Sequence, residues 1–352
     1  MSASTQPTPF GRIFPPNDAW LAKRSPEDIL DPDLPIIDTH HHLWDQPEHR
    51  YLLPEWLADV GTGEGGGHNV VATVYMECGS MYRADGPENM RAVGEVEFAA
   101  GVAAMSESGN YGPTRVAAGI VGFADLTLGD GVGSVLEALM QAGGGRFRGV
   151  RHAAGWDADP VIGNGHHGAG PGLYGQAGFR AGLARLTALG LSLDAWLYHP
   201  QLADLVGLAR ACPDANIIMN HTGGMLGYGS YANGGAERFA QWRADLAELA
   251  QCPNVTMKLG GMMMRLASID YFNLPAPPTS TELAACWRPN IETCIELFGP
   301  ARCMFESNFP VDKMGIGYAA LWNAFKYLTA GASANERAAL FSGTARRAYR
   351  LA

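Results

Sequence analysis

The chain of 352 residues contains few cysteines, and no two of them are closely spaced. Its six cysteines are scattered along the sequence, and the motif Cys-x-x-Cys is absent. Zinc sites built from cysteine pairs and dithiol redox motifs both require that spacing. The sequence therefore argues against both kinds of site and predicts reduced, mostly buried thiols, as in cytosolic proteins.

Targeting and membrane segments are missing as well. The N-terminus lacks the charged and then apolar pattern of a secretory signal, and no apolar run reaches the length of a membrane span. Positive charge is also scarce, since 25 Lys and Arg oppose 35 Asp and Glu, which gives a net charge of −10. An acidic chain is a poor partner for nucleic acid or for an anionic membrane surface. We therefore predict a soluble cytoplasmic protein that acts on a small molecule, without nucleic-acid or membrane partners.

The most informative stretch that is present is Pro35–Asp45, which has the sequence PIIDTHHHLWD. Its two isoleucines follow a proline and form a run too short for a helix, which favours a buried parallel strand. Because side chains alternate along a strand, His40 and His42 point to one face and His41 to the other. Paired imidazoles at the end of a buried strand are costly unless they bind a metal, a substrate or hydrogen-bonding partners. The pattern favours a functional site over histidines that only pack in the core.

Apolar segments alternate with helical patterns along the rest of the chain. The predicted strands are residues 36–42, 70–78, 115–123, 147–152, 191–197, 216–221, 254–260 and 302–308. The predicted helices cover about 88–105, 131–142, 176–189, 200–211, 236–250, 281–298, 318–329 and 333–349. This alternation is typical of an α/β fold, a single-domain (β/α)8 TIM barrel. An open doubly wound sheet is disfavoured because no Gly-x-Gly-x-x-Gly turn follows the first strand.

Two segments lie outside this rhythm. Residues 1–34 are rich in proline and polar residues but also carry scattered large apolar side chains. Such anchors predict an extended arm that lies on the barrel (residues 35–352) or on a partner subunit, and they favour a homodimer. The segment 43–68 lacks periodicity and ends in glycines, which predicts a long loop above the first strand.

Polar or titratable residues occur at every predicted strand end except the third. These candidates are His40, His42, Glu77, Arg151, His152, His199, His221, Lys258, Glu306 and Asn308. In a TIM barrel the active site lies at this end of the strands, so we expect the candidates to converge. Arg151 has the fork geometry that suits a carboxylate or a lactone carbonyl. Lys258 lies inside an apolar strand and requires a carboxylate, a carbonyl or a substrate as partner. Glu77 and Trp44 are further candidates for substrate binding, although each also has a structural interpretation.

Several of these motifs resemble the amidohydrolase superfamily, in its amidohydrolase-2 branch of metal-dependent hydrolases. The matching segments are Asp38–Asp45, Arg148–His152, His221–Gly224, Lys258–Gly261 and Met304–Pro310. The resemblance implies a TIM barrel that hydrolyses lactones or related small compounds, while other branches are decarboxylases. By analogy, His40, His42 and His221 would bind a divalent metal such as zinc or manganese. His221 could instead polarise a carbonyl, and Arg151 would bind substrate. Some relatives work without metal, so a metal-free mechanism is an equal alternative.

One position departs from the resemblance. Members of this branch usually have Ser-Asp where this chain has Ser307-Asn308, and that aspartate is the expected general base. An amide cannot accept a proton at neutral pH. The remaining candidates for the base are Glu306, Asp312, His221 and His199. Our first hypothesis is a lactone hydrolase with catalytic residues among His221, His199, Glu306 and Asn308. A lyase, either a decarboxylase or a hydratase, is the alternative that Asn308 suggests, and a non-catalytic metabolite binder is the third.

Overall fold

The structure is a computed structural model that describes residues 15–47, 49–61, 67–165, 168–264 and 274–352. The described residues contain these strands: β1 (Ile36–His41), β2 (Trp44–Gln46), β3 (His49–Tyr51), β4 (Val70–Met76), β5 (Arg115–Gly122), β6 (Phe147–Arg151), β7 (Ser192–Ala195), β8 (Asn216–Met219), β9 (Val255–Leu259) and β10 (Cys303–Phe305). Eight of them form one parallel sheet in the order β1, β4, β5, β6, β7, β8, β9, β10.

The main chain just beyond β10 closes this sheet against β1. The N–H of Asn308 donates to the carbonyl of His40 at 2.8 Å, and the N–H of His42 donates to the carbonyl of Phe309 at 2.8 Å. Such a barrel buries both faces of each strand, which explains the nearly continuous apolar runs in the sequence. The predicted (β/α)8 TIM barrel is therefore confirmed.

Helices cover the outside of the barrel. The described helices are α1 (Asp18–Leu21), α2 (Leu53–Val60), α3 (Val93–Glu107), α4 (Gly133–Ala142), α5 (Ala177–Ala188), α6 (Leu202–Ala211), α7 (Gly235–Ala250), α8 (Ser280–Phe298), α9 (Tyr318–Leu328), α10 (Ala334–Ala338) and α11 (Thr344–Ala348). The last predicted helix is divided, because a π-helical turn over Ala339–Gly343 lies between α10 and α11. The consecutive side chains of Leu340 and Phe341 are both buried there, and Phe341 packs against Phe305 at 4.8 Å between ring centroids.

The prediction of a long loop over residues 43–68 is wrong. The described part of this segment contains the antiparallel pair β2 and β3 and the helix α2. The signal for α2 was present in the sequence, since Leu53, Trp56 and Val60 lie on one helical face and are all buried. The short length of each element hid that periodicity.

The described part of the arm, residues 15–34, lies on the barrel of its own chain. The indole N–H of Trp20 donates to the carbonyl of Leu274 at 3.0 Å. The N–H of Leu30 donates to Asn323 on α9 at 3.0 Å, and Lys326 on the same helix donates to the carbonyl of Asp31 at 2.9 Å. Residues 1–14 lie outside the described residues. The division at residue 34 and the homodimer both stay predictions.

The inside of the barrel is filled by a separate apolar cluster. Its buried members come from five strands and from the C-terminal segment: Ile37, Ala72, Val74, Met76, Ala118, Val121, Ile218, Met304, Ala345, Ala348 and Tyr349. The end of the chain thus forms the floor beneath the strand ends. Within the described ranges no helix combines the length and apolar character that a bilayer crossing requires. The cytoplasmic location stays a prediction.

Candidate functional site

A buried carboxylate joins two histidines at the C-terminal end of the barrel. Oε1 of Glu306 lies 2.7 Å from Nδ1 of His221, and Oε2 lies 2.9 Å from Nδ1 of His40. Burial alone would raise the pKa of Glu306. The interactions of this carboxylate with His221 and then with Lys258 outweigh that effect and hold the pKa below its ordinary value. Glu306 is therefore ionised, and it accepts a hydrogen bond from the Nδ1–H of His221, so Nε2 carries a lone pair when that ring is neutral.

The backbone around His221 is shaped to reach this carboxylate. His221 has a φ of 54°, a left-handed conformation that is rare outside glycine. In this conformation its main-chain N–H also donates to Oε1 of Glu306, at 3.1 Å. Gly261 packs against the ring, and a Cβ at that position would lie 2.1 Å from Nδ1 of His221. Gly261 belongs to the matching segment Lys258–Gly261, but the sequence offered no signal for its contact with His221, because that contact joins two loops that are 40 residues apart in the chain.

The His-x-His pair predicted on β1 is in place. His40 and His42 approach through their Nε2 atoms, which are 3.2 Å apart. Nδ1 of His42 lies 2.9 Å from the carbonyl of Met76, which can only accept, so Nδ1 carries the hydrogen and Nε2 is bare in the neutral ring. Two tautomers of His40 are compatible with its contacts. With the hydrogen on Nδ1, beside Oε2 of Glu306, its Nε2 is bare as well and two lone pairs face each other. With the hydrogen on Nε2, that nitrogen donates to His42 and Nδ1 accepts from Lys258 at 3.3 Å. Burial lowers the pKa of both rings well below the ordinary value, so an added proton does not relieve this contact.

These donors fit a divalent metal. In the tautomer of His40 that carries its hydrogen on Nδ1, the two bare Nε2 atoms at this separation are suitable ligands for zinc or manganese, and a cation would relieve the repulsion between their lone pairs. His40, His221 and Glu306 also each offer a ligand atom within 4.8 Å of the others. This cluster contains His40 and His221, two of the three predicted ligands, and adds Glu306. The third predicted ligand, His42, contacts the cluster through His40. A bound metal stays a prediction.

Arg151 and Glu77 form a buried pair beside these histidines. Nε of Arg151 donates to Oε1 of Glu77 at 2.5 Å, and Nη2 donates to the main-chain carbonyl of Glu77. Nη1 of Arg151 lies 3.3 Å from Nε2 of His40. Oε2 of Glu77 is buried and has no hydrogen-bond partner among the described residues. The arginine fork is thus directed at Glu77, and one guanidinium nitrogen faces the histidines. Whether either residue binds substrate stays a prediction.

Lys258 lies beneath the histidines, completely buried. Its Nζ donates to the carbonyl of Thr39 at 2.9 Å and lies 3.0 Å from Oδ1 of Asp194 and 3.3 Å from Nδ1 of His40. The expected carboxylate and carbonyl partners are therefore present. Asp194 was not among the predicted site residues. A lone carboxylate inside the apolar strand β7 is as costly to bury as Lys258, and this cost was a signal that could have identified it from the sequence.

Three other predicted residues lie around this centre rather than in it. His199 accepts the N–H of Leu226 on Nδ1 at 3.1 Å, and its ring contacts Tyr231. His152 accepts the N–H of Leu126 in the same way at 3.2 Å and points away from Arg151, as strand alternation predicts. Trp44 stacks on His42, with ring centroids 5.9 Å apart.

Asn308 faces an acid instead of the histidines. Its Nδ2 donates to Oδ1 of Asp312 at 2.8 Å, and its φ of 54° is one that asparagine tolerates better than most residues. Burial raises the pKa of Asp312 to about 8, despite hydrogen bonds from Asn308 and from the N–H of Met263. Asp312 is therefore protonated at neutral pH and is poorly suited to act as the base.

Known proteins resemble this chain over nearly its whole length. The sequence matches the amidohydrolase family over residues 37–351. It is 35% identical over 332 residues to the uncharacterized protein y4mH of Sinorhizobium fredii (strain NBRC 101917 / NGR234), with 91% of this chain and 99% of that protein covered. It is 25% identical over 333 residues to L-fucono-1,5-lactonase of Burkholderia multivorans (strain ATCC 17616 / 249), with 90% of this chain and 96% of that protein covered.

Solved structures show the same fold. An amidohydrolase from Burkholderia multivorans with bound zinc has a TM-score of 0.67 at 23% identity and covers 90% of this chain and 99% of its own. Decarboxylases are also among the structural neighbours. One is a 5-carboxyvanillate decarboxylase from Novosphingobium aromaticivorans complexed with manganese, with a TM-score of 0.53 at 12% identity, covering 91% of this chain and 97% of its own. The family match over residues 37–351 and the 35% identity to y4mH show that this chain belongs to the amidohydrolase family, whose members are enzymes.

Proposed function

We propose that this protein hydrolyses a small lactone with a water molecule that His221 activates. The observation that carries the proposal is the 2.7 Å contact between Glu306 and Nδ1 of His221. A carboxylate on Nδ1 leaves Nε2 as a proton acceptor and stabilises the imidazolium that forms. The 25% identity to the L-fucono-1,5-lactonase of Burkholderia multivorans supports a lactone as substrate.

In the proposed reaction, Nε2 of His221 removes a proton from water while the water oxygen attacks the carbonyl carbon of the lactone. The electron pair of the carbonyl moves to its oxygen, which gives a tetrahedral oxyanion. When the carbonyl re-forms, the ring C–O bond breaks, and the leaving oxygen takes the proton back from His221. The product is a hydroxy acid. Glu306 stays ionised throughout, and the guanidinium of Arg151 contributes positive charge on the side of the site where His40 lies.

His40 and His42 would hold a divalent metal through their Nε2 atoms, while His221 keeps its lone pair for the proton. A bound ion would supply Lewis-acid polarisation of the carbonyl and would lower the pKa of water. The 3.2 Å separation of the two Nε2 atoms supports this assignment, because both present a lone pair when each ring carries its hydrogen on Nδ1. The zinc bound by the amidohydrolase from Burkholderia multivorans supports a divalent ion of this kind.

The test is turnover of a lactone panel by the protein purified without added metal. The panel contains L-fucono-1,5-lactone and other sugar 1,4- and 1,5-lactones, and a pH indicator detects the acid that is released. Elemental analysis gives the metal content, and the assay is repeated after chelation. Turnover that requires His221 supports the proposal. Failure to turn over any lactone, with or without zinc or manganese, contradicts it.

A decarboxylase is the second candidate. The observation that favours it is Asn308, which cannot act as the base that water activation needs at that position and which pairs with Asp312 instead. The same preparation is therefore assayed for release of carbon dioxide from hydroxylated aromatic carboxylic acids. Decarboxylation without lactone turnover would replace the lactonase proposal.

A further inference from the structure

A buried carboxylate on the helix layer holds the turn that follows β4. Glu95 lies in the first turn of α3 and is completely buried. Its Oε1 accepts the N–H of Cys78 at 2.8 Å, the N–H of Ser80 at 3.0 Å and the hydroxyl of Tyr75 at 3.0 Å. Gly79 separates the two main-chain donors and has a φ of 74°, a left-handed conformation that lets both N–H groups point to one acceptor. The carboxylate of Glu95 thus takes the place of a main-chain partner for this turn.

The peptide group between Glu77 and Cys78 connects this carboxylate with the site. Its N–H, on Cys78, donates to Glu95, and its carbonyl, on Glu77, accepts from Nη2 of Arg151. A trans peptide group is planar and its N–H and C=O point in opposite directions, so a rotation of the group disturbs both bonds at once. The preceding N–H, on Glu77 itself, donates to the carbonyl of Val121 at 2.9 Å. Glu95 therefore fixes, from the far side of the peptide, the carbonyl that Arg151 uses.

That carbonyl decides how the guanidinium of Arg151 is oriented. Nε of Arg151 donates to Oε1 of Glu77 at 2.5 Å, Nη2 donates to the carbonyl, and Nη1 lies 3.3 Å from the ring of His40. Rotation about the bond between Nε and Cζ would exchange Nη1 and Nη2 without breaking the bond from Nε. The bond from Nη2 to the carbonyl opposes this rotation, because it would have to break first. The carbonyl therefore keeps Nη1 on the side of the site.

We propose that Glu95 is a positioning residue, which fixes the peptide group between Glu77 and Cys78 and through its carbonyl sets the orientation of the Arg151 guanidinium. A residue of the outer helix layer then controls a charged group beside the histidines. The consequence for turnover rests on the proposed lactone hydrolysis, in which Arg151 contributes positive charge, whereas the consequence for the orientation of Arg151 does not.

Three variants separate this role from simple packing. Glu95→Leu removes the acceptor and leaves the N–H groups of Cys78 and Ser80 without their partner. Glu95→Gln keeps an oxygen for the same donors, and its NH2 group takes the place of Oε2, which has no hydrogen-bond partner among the described residues. Tyr75→Phe is the matched control, because it removes a donor to the same carboxylate oxygen but keeps both main-chain bonds of the turn. A carboxylate that only packs would make Tyr75→Phe resemble Glu95→Leu.

The deciding measurement is a carbon-detected NMR spectrum of protein labelled with isotopic arginine, which shows two separate Nη signals only while the guanidinium rotates slowly. The Arg151 signals are assigned by their loss in Arg151→Lys. We expect separate signals in the unmodified protein, in Glu95→Gln and in Tyr75→Phe, and exchange at least about tenfold faster in Glu95→Leu, because one restraint on the rotation is lost. One averaged signal in the unmodified protein overturns the inference before any variant is made. An unchanged rate in Glu95→Leu, or the same rise in either control, overturns it as well. No substrate is needed, so the result stands even if the lactone proposal fails.

If lactone turnover is found, kinetics give the second readout. We expect Glu95→Leu to lower kcat by about tenfold, because the positive charge of Arg151 is no longer held in place. Glu95→Gln and Tyr75→Phe should each stay within about twofold of the unmodified protein. An equal fall in kcat in Glu95→Leu and Tyr75→Phe indicates general loosening of the fold and overturns the inference. Faster rotation of the guanidinium without a fall in kcat overturns its catalytic part.

Discussion

His221 and His199 occupy equivalent places in the barrel yet differ in chemistry. Each is the first residue of a short helical turn after a barrel strand, and each is 5% exposed. Nδ1 of His221 faces a carboxylate, whereas Nδ1 of His199 accepts the main-chain N–H of Leu226. In their neutral forms the two rings are therefore opposite tautomers, with Nε2 an acceptor in His221 and a donor in His199. Burial, followed by the charge of Arg238, lowers the pKa of His199 to about 4, so this ring stays neutral near pH 7.

Because residue type, strand position and burial are the same for both rings, these features do not identify the proposed base. The partner on Nδ1 decides it, because an acceptor there frees the other nitrogen to take a proton and a donor there prevents this. The following variants test that conclusion, and all kinetic comparisons use the lactone found in the panel.

The largest effect is expected from removing the proposed base. His221→Ala should lower kcat/KM by about three to four orders of magnitude, because general base and imidazolium are both lost. His199→Ala should lower it by less than about tenfold, since only packing near Tyr231 and the bond to Leu226 are lost. Circular dichroism spectra confirm that both variants are folded. Equal losses in the two variants would show that the tautomer does not distinguish them.

A smaller loss is expected when Glu306 is made neutral. Glu306→Gln keeps the shape of the side chain but removes the charge that stabilises the His221 imidazolium, so kcat should fall by about a hundredfold. Glu296→Gln is the matched control, because Glu296 pairs with Arg243 on the outside of the barrel. If kcat is unchanged in Glu306→Gln, the carboxylate only orients the ring and another group supplies the stabilising charge.

The next variant displaces His221 without altering its chemistry. Gly261 has a φ of 65°, and the Cβ of Gly261→Ala would lie 2.1 Å from Nδ1 of His221. Gly190 has a φ of 69° and open space around the corresponding position, so Gly190→Ala introduces the same backbone strain without the clash. We expect kcat to fall by about tenfold in Gly261→Ala and to be unchanged in Gly190→Ala. Similar kinetics in both would mean that the ring can shift without loss.

Much of this arrangement was predictable from the sequence, and the limits have physical reasons. The strand–helix alternation predicted the barrel, and the spacing of His40 and His42 predicted their shared face. Strand ends bring residues to one edge of a sheet, but they do not determine which atom of a ring meets which partner. The pairing of Glu306 with His221 depends on a left-handed residue and on the closure of the barrel by β10, neither of which has a local signal. Asn308 was recognised as a departure, but its partner Asp312 follows from the course of the loop.

Two buried carboxylates also differ through their partners, and the variant that tests this difference has the smallest expected effect on turnover. Glu306 and Asp312 are both completely buried near β10, but interactions with His221 and Lys258 hold the pKa of Glu306 below its ordinary value, whereas burial raises the pKa of Asp312 to about 8 from its ordinary 3.8. Between about pH 4 and pH 8 the folded chain therefore keeps a proton on Asp312 that the unfolded chain releases. Linkage then requires that the free energy of unfolding falls as pH rises through this window and that this contribution levels off above it.

Asp312→Asn should remove this dependence, because an amide does not titrate. Its oxygen can accept from the N–H of Met263, and its NH2 group can donate to Oδ1 of Asn308 once the Asn308 amide turns over. The quantity to compare is the free energy of unfolding of the variant minus that of the unmodified protein. This difference should be roughly 1 to 3 kcal/mol larger at pH 8 than at pH 5. Urea unfolding at the two pH values measures the difference. Because a protonated Asp312 is not the base, lactone turnover at pH 7 should change by less than about threefold. A parallel pH dependence in both proteins, or a loss of turnover as large as that of Glu306→Gln, would mean that Asp312 is ionised in the fold and would reopen its candidacy as the base in place of His221.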